Sequence, residues 1–138
     1  MNFEFIEIKP TKTRGNIQHL SECIRVSFTK PKARNETKDG IYTLTIYIGK
    51  NIANALNIKD GERVSIFHAK ENPRIWLIKK AVSKKGYKLI GIKDKESGEF
   101  SAFKFQLTWK IFTPQENEMG MREVEFELNN EFGIIVKS

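Results

Sequence analysis

The run Ile46-Tyr47-Ile48-Gly49-Lys50-Asn51-Ile52-Ala53-Asn54-Ala55-Leu56-Asn57-Ile58-Lys59-Asp60-Gly61-Glu62-Arg63-Val64-Ser65-Ile66 changes its hydrophobic period twice. Up to Ile48 the apolar residues alternate, as in a half-buried strand. From Lys50 to Leu56, Ile52, Ala55 and Leu56 fall at i, i+3 and i+4 and give one apolar face to a helix of about two turns. Asp60-Gly61 then supplies turn chemistry, since Gly61 takes a positive φ at low cost. Alternation resumes at Arg63-Val64-Ser65-Ile66-Phe67. The order predicted is strand, short helix over 50–56, tight turn, strand.

Outward from this block the period stays near two. Ile75-Trp76-Leu77-Ile78-Lys79 completes a hairpin with Arg63–Phe67 across the polar segment Ala69–Arg74. Further strands are predicted at Phe3–Ile8, Ile24–Phe28, Leu44–Ile48, Tyr87–Ile92, Ala102–Ile111, Val124–Leu128 and Gly133–Lys137. Residues 29–40 hold no apolar side chain larger than Ala apart from the flanks and read as a mobile basic loop. Some nine strands and one helix imply a mainly β barrel or sandwich. The chain reads as one domain over residues 1–138. It has N-terminal strands with a basic loop (1–40), a core (41–80) and a C-terminal β extension (81–138). The two hairpins, 63–79 and 124–137, echo each other; if they are related halves, one chain closes its own barrel. Alternation common to all β-hairpins is the simpler account of that echo, so closure between two chains is the expectation.

With 138 residues, 39% hydrophobic and fifteen aromatic, the chain has apolar surface enough for a core. No stretch is long and apolar enough to span a bilayer, and Glu4 stands where a signal peptide has a basic region, so the expected location is cytoplasmic. Cys23 is the sole cysteine and builds neither a disulfide nor a thiolate zinc site on its own. The net charge of +7 is uneven: +3 over residues 1–45, +8 over 46–95 and −4 over 96–138. A clustered positive field favours a polyanionic partner.

Residues 46–66 resemble, without a gap, the core signature of the AbrB/MazE-type swapped-hairpin family. Its form is strand, Pro-Lys, short helix ending Leu-Gly, hydrophobic-Lys-Pro-Gly-Asp-x-Val, strand. Ile75–Lys79 resembles the family's closing strand. Gly49, Asn57 and Asp60 replace the family's Pro, Gly and Pro, and Asn57 retains the ability to cap the helix in a left-handed conformation. The resemblance implies a small barrel of interleaved hairpins in a homodimer that lies on double-stranded DNA. Members include transition-state regulators and the DNA-binding halves of antitoxins, so a dimeric transcriptional regulator of bacterial or phage type is implied. Lys50 matches the family's Lys. With the basic loop residues Lys12, Arg14, Lys30, Lys32 and Arg34 it forms the expected set of phosphate contacts.

Enzyme signatures are missing from the sequence. His19 and His68 have no metal-ligand spacing, and no phosphate loop, nucleophile elbow or dinucleotide fingerprint occurs, so neither a metal nor a cofactor is expected. His19 and Cys23 lie four apart but have no orienting third residue. Glu116, Glu118, Glu123, Glu125 and Glu127 read as a solvated strand face. Two other functions compete with duplex binding. Phe100, Phe103, Phe105 and Trp109 beside Lys104 and Lys110 are a stacking platform for single strands if exposed, although their alternation places Phe103, Phe105, Leu107 and Trp109 in the core. The acidic last third, in turn, suits a protein-interaction module of inhibitor or antitoxin-like type.

Overall fold

The computed structural model describes residues 4, 21–30, 41–82, 84–129 and 133–138. The expected strand at Phe3–Ile8, Glu4 apart, and the stretches containing Lys12, Arg14, Lys32 and Arg34 lie outside the described residues. Within them the strands are β1 (Ile24–Thr29), β2 (Tyr42–Gly49), β3 (Arg63–His68), β4 (Ile75–Lys80), β5 (Tyr87–Lys88), β6 (Ile90–Lys93), β7 (Phe100–Trp109), β8 (Gly120–Asn129) and β9 (Gly133–Lys137). Helix α1 (Lys50–Ala55) joins β2 to β3, and a single 3₁₀ turn (Glu116–Glu118) precedes β8. The expected helix and turn are present. Asn57 has φ 56° and Gly61 φ 82°, so each adopts the left-handed conformation required of it.

All pairings named are antiparallel, in the order β5-β3-β4-β9-β8-β1-β2-β7-β6, and they form a nearly closed barrel within one chain. Two strands carry the sheet round its corners. Strand β8 pairs with β1 from Met121 to Val124 and with β9 from Glu125 to Asn129. Tyr87 and Lys88 pair with β3, whereas Ile90 onward pairs with β7. The continuous strand expected over Tyr87–Ile92 is therefore two. It breaks at Leu89, which is fully buried and exchanges backbone hydrogen bonds with the turn before β3 (Leu89 N–H to Glu62 O, 2.8 Å; Gly61 N–H to Leu89 O, 3.1 Å).

The same neighbour relations result when β1, β2, β3 and β4 are exchanged for β5–β6, β7, β8 and β9. A local two-fold thus passes between β4 and β9, where Leu77 faces Ile135. A positive-φ glycine also stands at the entrance to each hairpin, Gly61 at φ 82° two residues before β3 and Gly120 at φ 83° as the first residue of β8. The sequence echo between the two hairpins has a structural counterpart, and both halves of the barrel belong to one chain.

Alternate residues of each strand fill the interior. Val26, Phe28, Leu44, Ile46, Ile48, Val64, Trp76, Ile78, Ile134 and Val136 have no exposed surface. Phe103, Phe105, Leu107 and Trp109 point inward as their alternation predicts, so these rings are core and offer bases no platform. Phe28, Trp76, Trp109 and Phe112 make one aromatic cluster, with the two indole centroids 4.9 Å apart.

Candidate nucleic-acid interface

No acidic residue occurs between Glu71 and Asp94, a stretch with seven Lys and Arg. The fold gathers most of these cations at one place. Arg63 opens β3 directly opposite Lys88 of β5, Val64 opposes Lys80, and Ser65 opposes Lys79. Ala81 and Gly86 both lie against the start of β3. Ala81 N–H donates to Arg63 O (2.8 Å), and the Arg63 guanidinium donates to Gly86 O (2.8 Å). Gly86 is required there, because a Cβ would lie 2.5 Å from Ala81 Cβ and 2.7 Å from Val64 O. Lys84 and Lys85 follow between β4 and β5, and like Arg63, Lys79, Lys80 and Lys88 they are exposed.

Glu62 brings a carboxylate to these cations. Glu62 lies 2.7 Å from Lys80 Nζ, and that hydrogen-bonded ammonium holds its carboxyl below the usual range. Lys79 Nζ lies 5.1 Å from the Phe67 ring centroid. Lys84 and Lys88 have no carboxylate partner among the described residues.

The two described members of the expected contact set do not meet. Lys30 follows β1 and is exposed, whereas Lys50 starts α1 at the other end of the β1–β2 hairpin, about 20 Å away by strand length. Lys50 Nζ is 3.9 Å from Glu99. Arg63, Lys79, Lys80, Lys84, Lys85 and Lys88 are not in the set expected from sequence. The signal was the acid-free interval, which needed the β3–β5 register to become a surface.

Opposite charge collects on the related strand. Glu123, Glu125 and Glu127 are exposed on β8, with Lys137 Nζ 3.3 Å from Glu127. Glu118 departs from the expected solvated row. Its carboxylate receives both terminal nitrogens of Arg74, accepts from Gln115 N–H (2.9 Å) and lies 3.4 Å from Arg122. The Arg74 guanidinium sits 4.5 Å from the Phe112 ring centroid, so this group ties the entrance of β4 to the aromatic cluster. The hydrogen bonds from Arg74, before all else, hold the Glu118 carboxyl at about 2, against an ordinary value of 4.5. A depressed carboxylate stabilises the fold above its unfolded value and loses that contribution as pH falls from about 4.5 through about 2. With allowance for the partial exposure of Arg74, wild type should lose about 2 kcal/mol over that window. Glu118→Gln should lack this component, and urea denaturation at stepped pH reads the difference.

Burial pushes the Cys23 thiol up, away from a thiolate, and its sequence companion His19 lies outside the described residues. Among the described residues no three His, Cys, Asp or Glu side chains gather to hold a metal, and no helix is long and apolar enough to cross a membrane. No protein-family model, curated protein or solved structure matches the chain.

Proposed function

We propose that this protein binds double-stranded DNA as a small regulator, with an AbrB-like barrel whose two halves lie in one chain. The observation that carries the reading is the exposed cations Arg63, Lys79, Lys80, Lys84, Lys85 and Lys88 on and beside strands β3, β4 and β5, of which Lys84 and Lys88 have no carboxylate partner among the described residues. Duplex is favoured over single strand because Trp76, Phe103, Phe105 and Trp109, the rings best suited to stack on bases, are core. Lysines dominate the set. They act as point charges on phosphates and lack the planar fork with which arginine reads guanine, so this surface fixes position more than sequence. Lys50, at the start of α1 and 3.9 Å from Glu99, stands apart from this set. On this reading the two halves of one chain take the place of the two chains that the family resemblance implies.

A second reading rests on the acidic row Glu123, Glu125 and Glu127, which suits a basic protein partner. Salt separates the two. Six phosphate contacts give log K against log salt a slope of about −5. Fluorescence anisotropy with a mixed-sequence duplex should show that slope, and tighter binding than to the corresponding single strand. The absence of duplex binding at low salt would remove the DNA reading and leave the acidic strand as the surface to pursue.

A further inference from the structure

The barrel is closed less completely on one side than on the other. Strand β1 pairs with β2 along all six of its residues, from Ile24 to Thr29. The segment that closes the far side divides instead. Its first part, β5, pairs with β3 only at Arg63 and Val64, and its second, β6, pairs with β7 only as far as the Ile90–Lys104 position. From Ser65 to His68 and from Phe105 to Trp109, each strand therefore has one edge without a strand neighbour among the described residues. An open cavity of about 320 Å³ lies between these two edges.

The ladder pattern fixes which backbone groups face the gap. Along an antiparallel strand, successive residues turn their N–H and C=O to one neighbour and then to the other. Ala81 N–H donates to Arg63 O and Ala69 N–H to Ile75 O, so the odd-numbered residues of β3 bond to β4, and Ile66 and His68 turn theirs to the gap. On the other side, Gly49 N–H donates to Cys23 O, so the odd-numbered residues of β2 face β1 and its even-numbered residues face β7. The register of Ile46 with Phe105 and of Leu44 with Leu107 then leaves Gln106 and Thr108 facing the gap. Six antiparallel pairings lead from β3 through β4, β9, β8, β1 and β2 to β7, so the two edges run in the same direction. One inserted strand can therefore be antiparallel to both, as β5 and β6 already are at the closed end.

The surroundings select the side chains of such a strand. Those turned inward meet Ile66, Tyr87, Leu107 and Trp109, which calls for apolar residues. Those turned outward stand between Lys110 on one side and Phe67 on the other, and Lys79 Nζ lies 5.1 Å from the Phe67 ring centroid. No Asp or Glu lines the cavity, so cations on both sides call for acidic residues there. We infer that the gap takes up an extended segment of a partner protein, in which apolar and acidic residues alternate, as a strand antiparallel to both edges. Main-chain hydrogen bonds hold the segment and its alternate side chains select it. The inference rests on backbone edges and not on the DNA reading, and Lys79 alone is shared with the cations assigned to phosphate.

The probe is the peptide acetyl-Val-Glu-Val-Glu-Val-amide, and the readout is amide hydrogen exchange in the full ¹⁵N-labelled chain. In the free chain the Ile66, His68, Gln106 and Thr108 amides should exchange at least about tenfold faster than those of Phe67 and Leu107, which bond to β4 and β2. Peptide at about 1 mM, enough to detect millimolar affinity, should shift these four resonances saturably and slow their exchange. Methylation of the backbone nitrogens of its two glutamates removes donors to one edge and should abolish the protection. A peptide with lysine in place of both glutamates should bind at least about fivefold more weakly, the worth of one exposed charge contact. The inference is overturned if the four amides are already as slow as those of Phe67 and Leu107 in the free chain, since the edges are then covered. No protection at about 1 mM peptide overturns it too, as does equal protection by the methylated peptide or equal binding of the lysine peptide.

Discussion

Trp76→Ala is expected to lower stability by about 3–5 kcal/mol, because it empties the centre of the barrel. Trp76 has no exposed surface and lies opposite both His68 of β3 and Val136 of β9, so it is packed by the two hairpins that the local two-fold relates. Its ring meets Phe28, Trp109 and Phe112, and its N–H satisfies Pro73 O. Removal leaves a void and an unsatisfied carbonyl together. A domain of this size has about 5–15 kcal/mol in total, so the loss consumes roughly a fifth of it or more, and the thermal midpoint should fall by about 10–20 °C. Trp76→Phe keeps most of the apolar volume and should recover over half of the loss. Urea denaturation followed by circular dichroism measures all three proteins. A cost below about 1 kcal/mol for Trp76→Ala is what a surface position would give, and would contradict the packing described.

The double variant Lys84→Glu/Lys88→Glu should weaken duplex binding by about 100-fold at 0.1 M salt, since two counterion-releasing contacts become repulsions. Both side chains are exposed, and neither holds a carboxylate of the fold, so the thermal midpoint should stay within a few degrees of wild type. The log–log salt slope should flatten by about two, one for each lost contact. A matched change on the other half of the barrel, Glu125→Gln/Glu127→Gln, should leave affinity within about threefold, because charges more than a Debye length apart are largely screened. Anisotropy titrations at three salt concentrations test the pair. An unchanged affinity for Lys84→Glu/Lys88→Glu would show that phosphates lie elsewhere.

Local chemistry made the centre of the fold readable from sequence. Ile52, Ala55 and Leu56 carry the helical period, Asn57 and Gly61 carry the two left-handed positions, and alternation orients β7 correctly from Phe103 to Trp109. The break at Leu89 left only a slight mark, the adjacent apolar pair Leu89-Ile90, which a strand buried on both faces also shows. What divides the strand is the passage from β3 to β7, a matter of tertiary pairing. Glu118 was hidden for a similar reason. It sits among other glutamates, and only Arg74, forty-four residues earlier in the chain, distinguishes it from them. The basic surface was half visible. The +8 of residues 46–95 marked the right region, but choosing its contact residues required that Arg63 face Lys88 and that Ala81 and Gly86 lie against the start of β3.

The most direct test of the DNA reading is a titration of the ¹⁵N-labelled chain with a short mixed-sequence duplex, followed amide by amide. The account predicts that the largest shifts fall on Arg63, Lys79, Lys84, Lys85 and Lys88, that Glu123, Glu125 and Glu127 stay in place, and that the shifts collapse as salt rises. Shifts centred on the β8 acids, or none at low salt, would contradict it.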